Sequence, residues 1–302
     1  MDITALVSKL DDLKIEYLCD TPMSLYTSFK IGGPADVMLK PHNVEQLKTA
    51  LSLCKEHNVP VFILGKGSNL LVSDDGIEGA VINISSGFDE IKLLNDTTVE
   101  CGAGASLSAL CNFCLEHGLS GLEFAFGIPG SVGGAVYMNA GAYGGEIKNV
   151  ITSATYLTAD GEECELPSDK LSLSYRKSKF SGNDDIILSA KFELKPDNAD
   201  NIRERMNDFI GRRKDKQPLC FPSAGSTFKR PEGYYAGALI EGSGLKGFTV
   251  GGAQVSEKHA GFVINKGGAT CKDVTDLMAH IVKTVKENYG VTLEAEVIKI
   301  GR

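Results

Sequence analysis

An α+β fold is predicted for this chain, and three features of the sequence predict it. Apolar residues recur at helical spacing over residues 3–13, 43–57, 106–117, 201–216 and 270–289. From residue 59 to 101 short apolar runs follow one another, and beyond residue 64 no helical pattern separates them. The third feature is a glycine-dense stretch, residues 127–145, that no lysine, arginine, aspartate or glutamate interrupts.

In chain order, Ile3, Leu6, Val7, Leu10 and Leu13 make a helical stripe that packs on the outside of the later segments. Residues 27–35 read as a strand entering a glycine turn, and residues 36–39 as the next strand. Asn43 caps a helix through residue 57, with Val44, Leu47, Leu51 and Cys54 on its buried face. Residues 59–64 are a short strand that runs into Gly65-Lys66-Gly67-Ser68-Asn69. That loop is neither G-x-x-x-x-G-K-[ST] nor G-x-G-x-x-G, because Leu70 stands where a third glycine would. Residues 70–73, 80–84, 91–94 and 98–101 continue as strands, which excludes a Rossmann domain. The loop still offers main-chain N–H groups, with Ser68 and Asn69, to a diphosphate. Gly102-Ala103-Gly104-Ala105 is a second loop of this kind. With residues 127–145 it makes three glycine loops that can converge on one extended ligand.

Residues 127–145 hold seven glycines among nineteen residues, with Ile, Val, Tyr and Met between them. A flexible linker would be rich in serine instead. Glycine permits positive φ and the close approach of another surface. The stretch is either a main-chain wall for a flat or phosphorylated ligand or a set of tight turns in a core; composition leaves both open. Residues 151–157 and 163–166 form a hairpin about Ala159-Asp160-Gly161-Glu162. Residues 186–194 are a strand, and Lys195-Pro196-Asp197-Asn198 is a boundary. The helix at 201–216 turns Ile202, Met206, Phe209 and Ile210 inward. It ends in Arg212-Arg213-Lys214-Asp215-Lys216, either a solvated helix end or a diphosphate contact. Residues 217–225 are extended, and 249–256 and 261–264 are strands. Thr270 caps a helix to Tyr289, with Gly290 as its stop signal. Residues 293–300 read as a strand with Glu294, Glu296, Ile298 and Ile300 on one face.

The 302 residues, 42% of them hydrophobic, suffice for one large core or two domains. A net charge of −8 argues against bulk attraction to nucleic acid or an anionic membrane, so local donors must hold any anionic ligand. No secretion signal opens the sequence, and no apolar run approaches the ~20 residues of a membrane span. A soluble, cytoplasmic monomer is expected. The eight cysteines are scattered. Cys111 and Cys114 form the one C-x-x-C, on the helix at 106–117, with no second pair at zinc spacing. They read as core residues, and no metal is expected.

Six segments stand in order, without a large gap, from about Ile31 to the end. They are Gly65-Lys66-Gly67-Ser68-Asn69-Leu70-Leu71, residues 127–145, Tyr175-Arg176-Lys177-Ser178-Lys179-Phe180, Ala224-Gly225-Ser226-Thr227-Phe228-Lys229-Arg230-Pro231, His259-Ala260-Gly261-Phe262-Val263-Ile264-Asn265 and Leu293-Glu294-Ala295-Glu296-Val297. Each alone is a weak signal. Together they resemble the UDP-N-acetylenolpyruvoylglucosamine reductase family, flavoenzymes of peptidoglycan precursor synthesis, in its shorter subtype. The resemblance implies the FAD-binding fold shared with vanillyl-alcohol oxidase and p-cresol methylhydroxylase. An N-terminal helical segment (1–30) would precede two α+β subdomains holding FAD (31–196) and a C-terminal α+β substrate-binding domain (197–302). FAD would be held by Gly65, Lys66, Gly67, Ser68, Asn69, Gly127, Ile128, Pro129, Gly130, Ser131, Gly133, Gly134, Asn139 and Gly141. The glycine loops contain no His or Cys for a covalent flavin link, so non-covalent FAD is expected.

The implied reaction has two halves. NADPH reduces FAD, and a hydride then adds to the vinyl carbon of an enolpyruvyl ether on a UDP-sugar. Negative charge is left on the adjacent carbon and spreads into the carboxylate, so the protein must stabilise that charge and deliver a proton. The resemblance makes Arg176 the stabilising cation, permanently charged and forked. A donor aimed at developing charge is commonly worth ~3 kcal/mol. Ser226 would be the proton donor, and it needs a polarising neighbour, for which Lys229 is close in sequence. Glu296 would orient the substrate or shuttle a proton, with Glu294 as the alternative in another register. Tyr175, Lys229, Arg230 and His259 resemble substrate-contacting positions, and Arg213 would meet the diphosphate of UDP. By pattern alone the three catalytic candidates read as a surface arginine, a turn serine and a solvent-facing glutamate. Two rival functions are another flavin oxidase of the same fold and a non-catalytic nucleotide-binding module. An oxidase of that kind needs no proton donor to a carbanion.

Overall fold

The carboxylate of Asp2 accepts a hydrogen bond from the Ala5 N–H and starts helix α1 (Ile3–Leu13), which buries Leu6 and Leu10. The computed structural model describes all 302 residues. Strand β1 (Glu16–Pro22) follows; it buries one residue of its seven, so no period-2 signal marks it in the sequence. Residues 27–33, expected to be a strand, are turn instead. Lys30 has a φ of 56° and Gly32 one of 136°, and no strand continues through such geometry. The ladder begins one residue later, at β2 (Pro34–Lys40), where Ala35, Val37, Met38 and Leu39 are buried. Asn43 caps α2 (Val44–Glu56) through the Gln46 N–H.

Five strands come next with no helix among them: β3 (Val61–Leu64), β4 (Leu70–Val72), β5 (Ile77–Asn83), β6 (Ile91–Leu93) and β7 (Thr98–Gly102). Ser106 caps α3 (Leu107–Glu116), and β8 (Leu119–Ser120) follows. Inside the glycine stretch lies a helix of six residues, α4 (Val132–Tyr137), capped by Ser131. Its two glycines suppress helix propensity and hid it in the sequence. Strands β9 (Gly141–Ala142) and β10 (Gly145–Glu146) pair with each other. The hairpin of β11 (Ile151–Leu157) and β12 (Glu163–Pro167) turns as expected, with Gly161 at a φ of 85°. Then come β13 (Ile186–Glu193), β14 (Lys195–Pro196), α5 (Ala199–Lys216) and α6 (Ala236–Gly242).

The strand expected at 249–256 is two, β15 (Thr249–Val250) and β16 (Ala253–Val255). They are broken at Gly251, where a Cβ would stand against the Asp273 carboxylate. Strand β17 (Val263–Asn265) precedes α7 (Cys271–Tyr289), which is capped by Thr270 with a reciprocal bond from Asp273 and stopped by Gly290. Only β18 (Ile298–Ile300) of the stretch 293–300 is strand.

The chain forms two compact units. The first comprises Met1–Tyr17, Leu39–Lys66 and Val81–Arg213. It contains an antiparallel five-stranded sheet, in the order β12-β11-β13-β7-β6, against which α4 packs. Val99, Ala154, Ala190 and Phe192 of that sheet are fully buried. Helix α5, which follows the boundary expected at 196, stays with this unit as far as Arg213. Its Ile202 and Met206 are buried, and Arg205 forms ion pairs with Glu123 and Asp197.

The second unit comprises Leu18–Met38, Gly67–Ala80 and Lys214–Arg302. Its core gathers Phe29, Ile31, Leu71, Ile240, Val255 and, from α7, Val274, Leu277, Ile281 and Val285. The sheet β15-β16-β17 is antiparallel, and β18 pairs in parallel with β4. No helix is long and apolar enough to cross a membrane.

Candidate active site

In the first unit, main-chain contact draws the glycine loops together. The Val132 N–H donates to Ala105 O at 2.9 Å, Gly133 N–H to Ala103 O at 2.8 Å, and Leu107 N–H to Gly130 O at 3.0 Å. A Cβ on Gly133 would stand 2.8 Å from that of Ala103, so glycine is what lets α4 lie on this loop. A Cβ on Gly65 would stand 2.6 Å from Ser131 Oγ, which accepts from the Gly134 N–H. The three glycine loops have contacts at the start of α4. The first N–H groups of α4 are consumed by these contacts, so the helix itself offers no anion site.

The main-chain N–H groups of Gly65, Lys66, Gly67, Ser68 and Asn69 follow one another in a loop whose Gly67 carbonyl accepts from the Ser28 N–H at 3.2 Å. Gly67 adopts a φ of 60° between them. Successive main-chain donors in turn geometry can form an anion-binding concavity.

Helix α5 closes on the other end of the glycine stretch. Tyr143 stacks on Phe209 with centroids 4.9 Å apart and planes 8° from parallel. A Cβ on Gly127 would stand 2.5 Å from Ile210 Cδ1 and 3.5 Å from Arg213 Cδ. Arg213 is 9% exposed and hydrogen-bonded to Tyr143, and burial holds its guanidinium pKa below the ordinary value. Arg212 pairs with Asp208 on the surface. The basic end of α5 therefore has one solvated arginine and one buried against the glycine stretch.

Tyr175 and Arg176 form the tip of a tight turn. The Ser174 N–H donates to Lys177 O at 3.0 Å, and the Lys177 N–H to Ser174 O at 3.2 Å. Arg176 is half-buried and has a φ of 55°, a region that bulky residues seldom adopt. Its guanidinium carbon lies 5.3 Å from the centre of the exposed Tyr175 ring. The last residue of α4 and one just beyond it hold this turn. Asn139 Nδ2 donates to Ser174 O at 3.1 Å, and Ser178 Oγ donates to Tyr137 O at 2.7 Å. Asn139 is 2% exposed; its Nδ2 also donates to Glu146 Oε2 at 2.6 Å, and its Oδ1 accepts from the Lys148 N–H at 2.9 Å. A Cβ on Gly141 would stand 2.8 Å from Gly145 O. Asn139 and Gly141 also take part in the chain's own turn architecture.

In the second unit, segments far apart in sequence lie side by side. Thr227 is the hub. Its N–H donates to Gly261 O at 2.9 Å, its Oγ1 accepts from the Val263 N–H at 2.9 Å, and its carbonyl accepts from the Glu296 N–H at 2.9 Å. The Lys229 N–H donates to Glu294 O at 2.8 Å, and Phe228 bridges Ala295. Asn69 Nδ2 donates to Glu296 O at 3.1 Å, and Asn69 O accepts from the Ile298 N–H at 2.9 Å. This pairing brings the exposed Ser226 beside the segment of the half-buried Glu296.

One expectation changes here: Glu296 does not sit in a strand; it precedes β18 in a stretch held by the bridge to Phe228. Lys229 is ion-paired with the exposed Glu294 at 3.3 Å. Arg230 lies over the Tyr235 ring, 4.0 Å from its centre, and donates from Nε to Tyr234 O. His259 accepts the Gly261 N–H at Nδ1 (3.1 Å) and meets Phe262 edge-on. Burial lowers its pKa, which keeps the imidazole neutral and Nδ1 an acceptor. It shapes the turn whose Gly261 carbonyl holds Thr227.

Cys111 and Cys114 are buried, and burial pushes the Cys114 thiol up to about 12 and Cys111 higher still. They are core residues. Sequence reasoning did not single out Tyr143, Ser178 or Thr227. Each matters through a partner remote in sequence; the one signal available was that Thr227 follows Ser226.

A family profile described as the C-terminal domain of UDP-N-acetylenolpyruvoylglucosamine reductase matches residues 217–300, and one described as an FAD binding domain matches residues 35–166. The UDP-N-acetylenolpyruvoylglucosamine reductase of Clostridium perfringens (strain SM101 / Type A) is 51% identical over 288 residues, 94% of this chain and 92% of that protein. The crystal structure of UDP-N-acetylenolpyruvylglucosamine reductase from Thermus caldophilus superposes with a TM-score of 0.80 at 35% identity, over 94% of this chain and 98% of that one. BBE-like 1 of Physcomitrella patens shares the fold alone, with a TM-score of 0.50 at 15% identity over 64% of this chain and 45% of its own.

Proposed function

The chain belongs to the UDP-N-acetylenolpyruvoylglucosamine reductase family, and from that premise we propose that it reduces the enolpyruvyl ether of UDP-N-acetylglucosamine to UDP-N-acetylmuramate. The step serves peptidoglycan precursor synthesis, with non-covalent FAD as cofactor and NADPH as co-substrate. Bound FAD supplies the hydride chemistry, from NADPH to the terminal vinyl carbon.

The chain's own residues do the rest. The main-chain N–H groups from Gly65 to Asn69 receive the FAD diphosphate, and the glycine stretch gives an uncharged wall. Arg176 stabilises the negative charge that spreads into the substrate carboxylate. Ser226 gives its hydroxyl proton to the carbon bearing the ether oxygen; a C–H bond forms as the O–H bond breaks, and the lactyl ether results. Glu296 orients the substrate and returns a proton to Ser226. Tyr175, Arg213, Lys229, Arg230 and His259 contact the UDP-sugar. Residues 31–196 hold FAD and lend Tyr175 and Arg176 to the substrate, and residues 197–302 bind the UDP-sugar. NADPH and the UDP-sugar use one pocket in turn, in a cytoplasmic, monomeric enzyme.

The observation that carries this reading is the bond from the Glu296 N–H to Thr227 O, which sets the proton donor's segment against the carboxylate's. Stopped-flow of Ser226→Ala tests it. Reduction of FAD by NADPH should proceed at the wild-type rate. Reoxidation by the enolpyruvyl substrate should slow by about 100-fold or more, the ordinary worth of a positioned acid. Equal loss in both halves would refute the assignment.

A further inference from the structure

We infer that Asn139 is a positioning residue for Arg176: its amide latches the turn that carries the arginine. The inference rests on the assignment of Arg176 to the substrate half-reaction. The turn's own two bonds, between Ser174 and Lys177, set its shape but not its direction. Its direction is set from outside by Asn139 Nδ2 on Ser174 O and by Ser178 Oγ on Tyr137 O.

The Asn139 amide cannot swivel. Glu146 takes one of its N–H groups, the Lys148 N–H takes its carbonyl, and Ser174 O receives the other N–H. Glu146 is fixed in turn by an ion pair with Lys148 at 2.8 Å and by reciprocal bonds with Asn149. Asn139 itself sits at a φ of 41°, which asparagine tolerates better than most residues. Two consecutive restraints in left-handed geometry, at Asn139 and at Arg176, therefore point one guanidinium. Aspartate would lack the donor and would stand against Glu146. Both ends of the amide are spent inside the chain, so its effect on the substrate half-reaction passes through the turn.

Asn139→Gly tests this, because glycine keeps the left-handed backbone and removes the amide. FAD affinity should stay at the wild-type value, and reduction by NADPH should change by less than about two-fold. Reoxidation by the enolpyruvyl substrate should slow about ten-fold, within the range that a misplaced catalytic group produces. In an Arg176→Ala background the same substitution should change reoxidation by less than about two-fold, because the latch then has nothing to aim. Losses that multiply in the double variant, equal loss in both half-reactions, or a selective loss of FAD affinity would overturn the inference. Wild-type reoxidation by Arg176→Ala alone would overturn the assignment of Arg176, and the latch with it. Should Asn139→Gly fail to fold, Ser178→Ala goes through the same cycle with the same outcomes.

Discussion

Adjacent glycines at the start of α4 should respond to alanine with opposite signs. A methyl on Gly133 would stand 2.8 Å from Ala103 Cβ and 3.2 Å from Ala103 O. Apolar carbons settle near ~3.5–4.0 Å, so the helix or the loop must give by about 0.7 Å or more. That movement stretches the bonds from Val132 and Gly133, now 2.9 and 2.8 Å. Overpacking costs ~1–3 kcal/mol, and the helix-propensity gain of ~1 kcal/mol offsets only part. Gly133→Ala should lose up to ~2 kcal/mol net. Gly134 is exposed, and a methyl there meets only Ser131 Oγ, at an ordinary 3.4 Å. Gly134→Ala should therefore gain ~0.5–1 kcal/mol. At ~2 cal/mol/K per residue these values become a fall of up to about 3 °C and a rise of about 1 °C in Tm. Thermal unfolding of the apo-protein reads both, and flavin fluorescence reads FAD affinity, which Gly133→Ala should weaken by disturbing the meeting of the loops. Two variants shifting in the same direction, or Gly133→Ala unfolding as wild type, would refute the close approach of α4 to the Ala103 loop.

Other substitutions test the anchoring of the site. Glu123 is 7% exposed and accepts from Arg205 Nε and Nη2 and from the Gly121 N–H. Burial pushes its carboxyl up, but the Arg205 and main-chain bonds more than offset that and leave it below the ordinary 4.5. Its stabilisation is present above pH 4.5 and fades as the pH falls through the lowered value. Glu123→Gln should cost ~2 kcal/mol at pH 7 by urea titration and flatten the acid limb; an unchanged midpoint would count against it. His259 runs the other way. Burial lowers its pKa, so below the ordinary 6.5 the unfolded chain takes up the proton first and stability declines with pH. Replacing it as His259→Gln should reduce the slope of Tm against pH between 6.5 and 5, and identical slopes would exclude the effect.

Long periodic elements were legible in the sequence. The stripes of α2 and α7, with their caps at Asn43 and Thr270, appear where expected. What periodicity cannot show is a strand without alternation, as in β1, or a helix written in glycine, as in α4. The site was legible as a list of residues and not as an arrangement. Nothing local tells that Lys229 answers to Glu294, that Arg213 turns in toward Tyr143, or that Asn139 reaches Ser174. Such partners are chosen by packing between distant segments, and each choice leaves only a polar residue in a turn as its trace.

The pairing of β4 with β18 sets a timetable for biosynthesis. Asn69 and Glu296, bonded in the folded protein, are 227 positions apart. A ribosome adding ~5–20 residues per second leaves the earlier segment waiting roughly 10–45 seconds for its partner. Over that interval Leu70, Leu71 and Val72, all buried in the finished molecule, have no edge to join. Nascent chains halted before residue 298 should therefore be held by chaperones and cut readily within 67–80, and release of the last strand should end both.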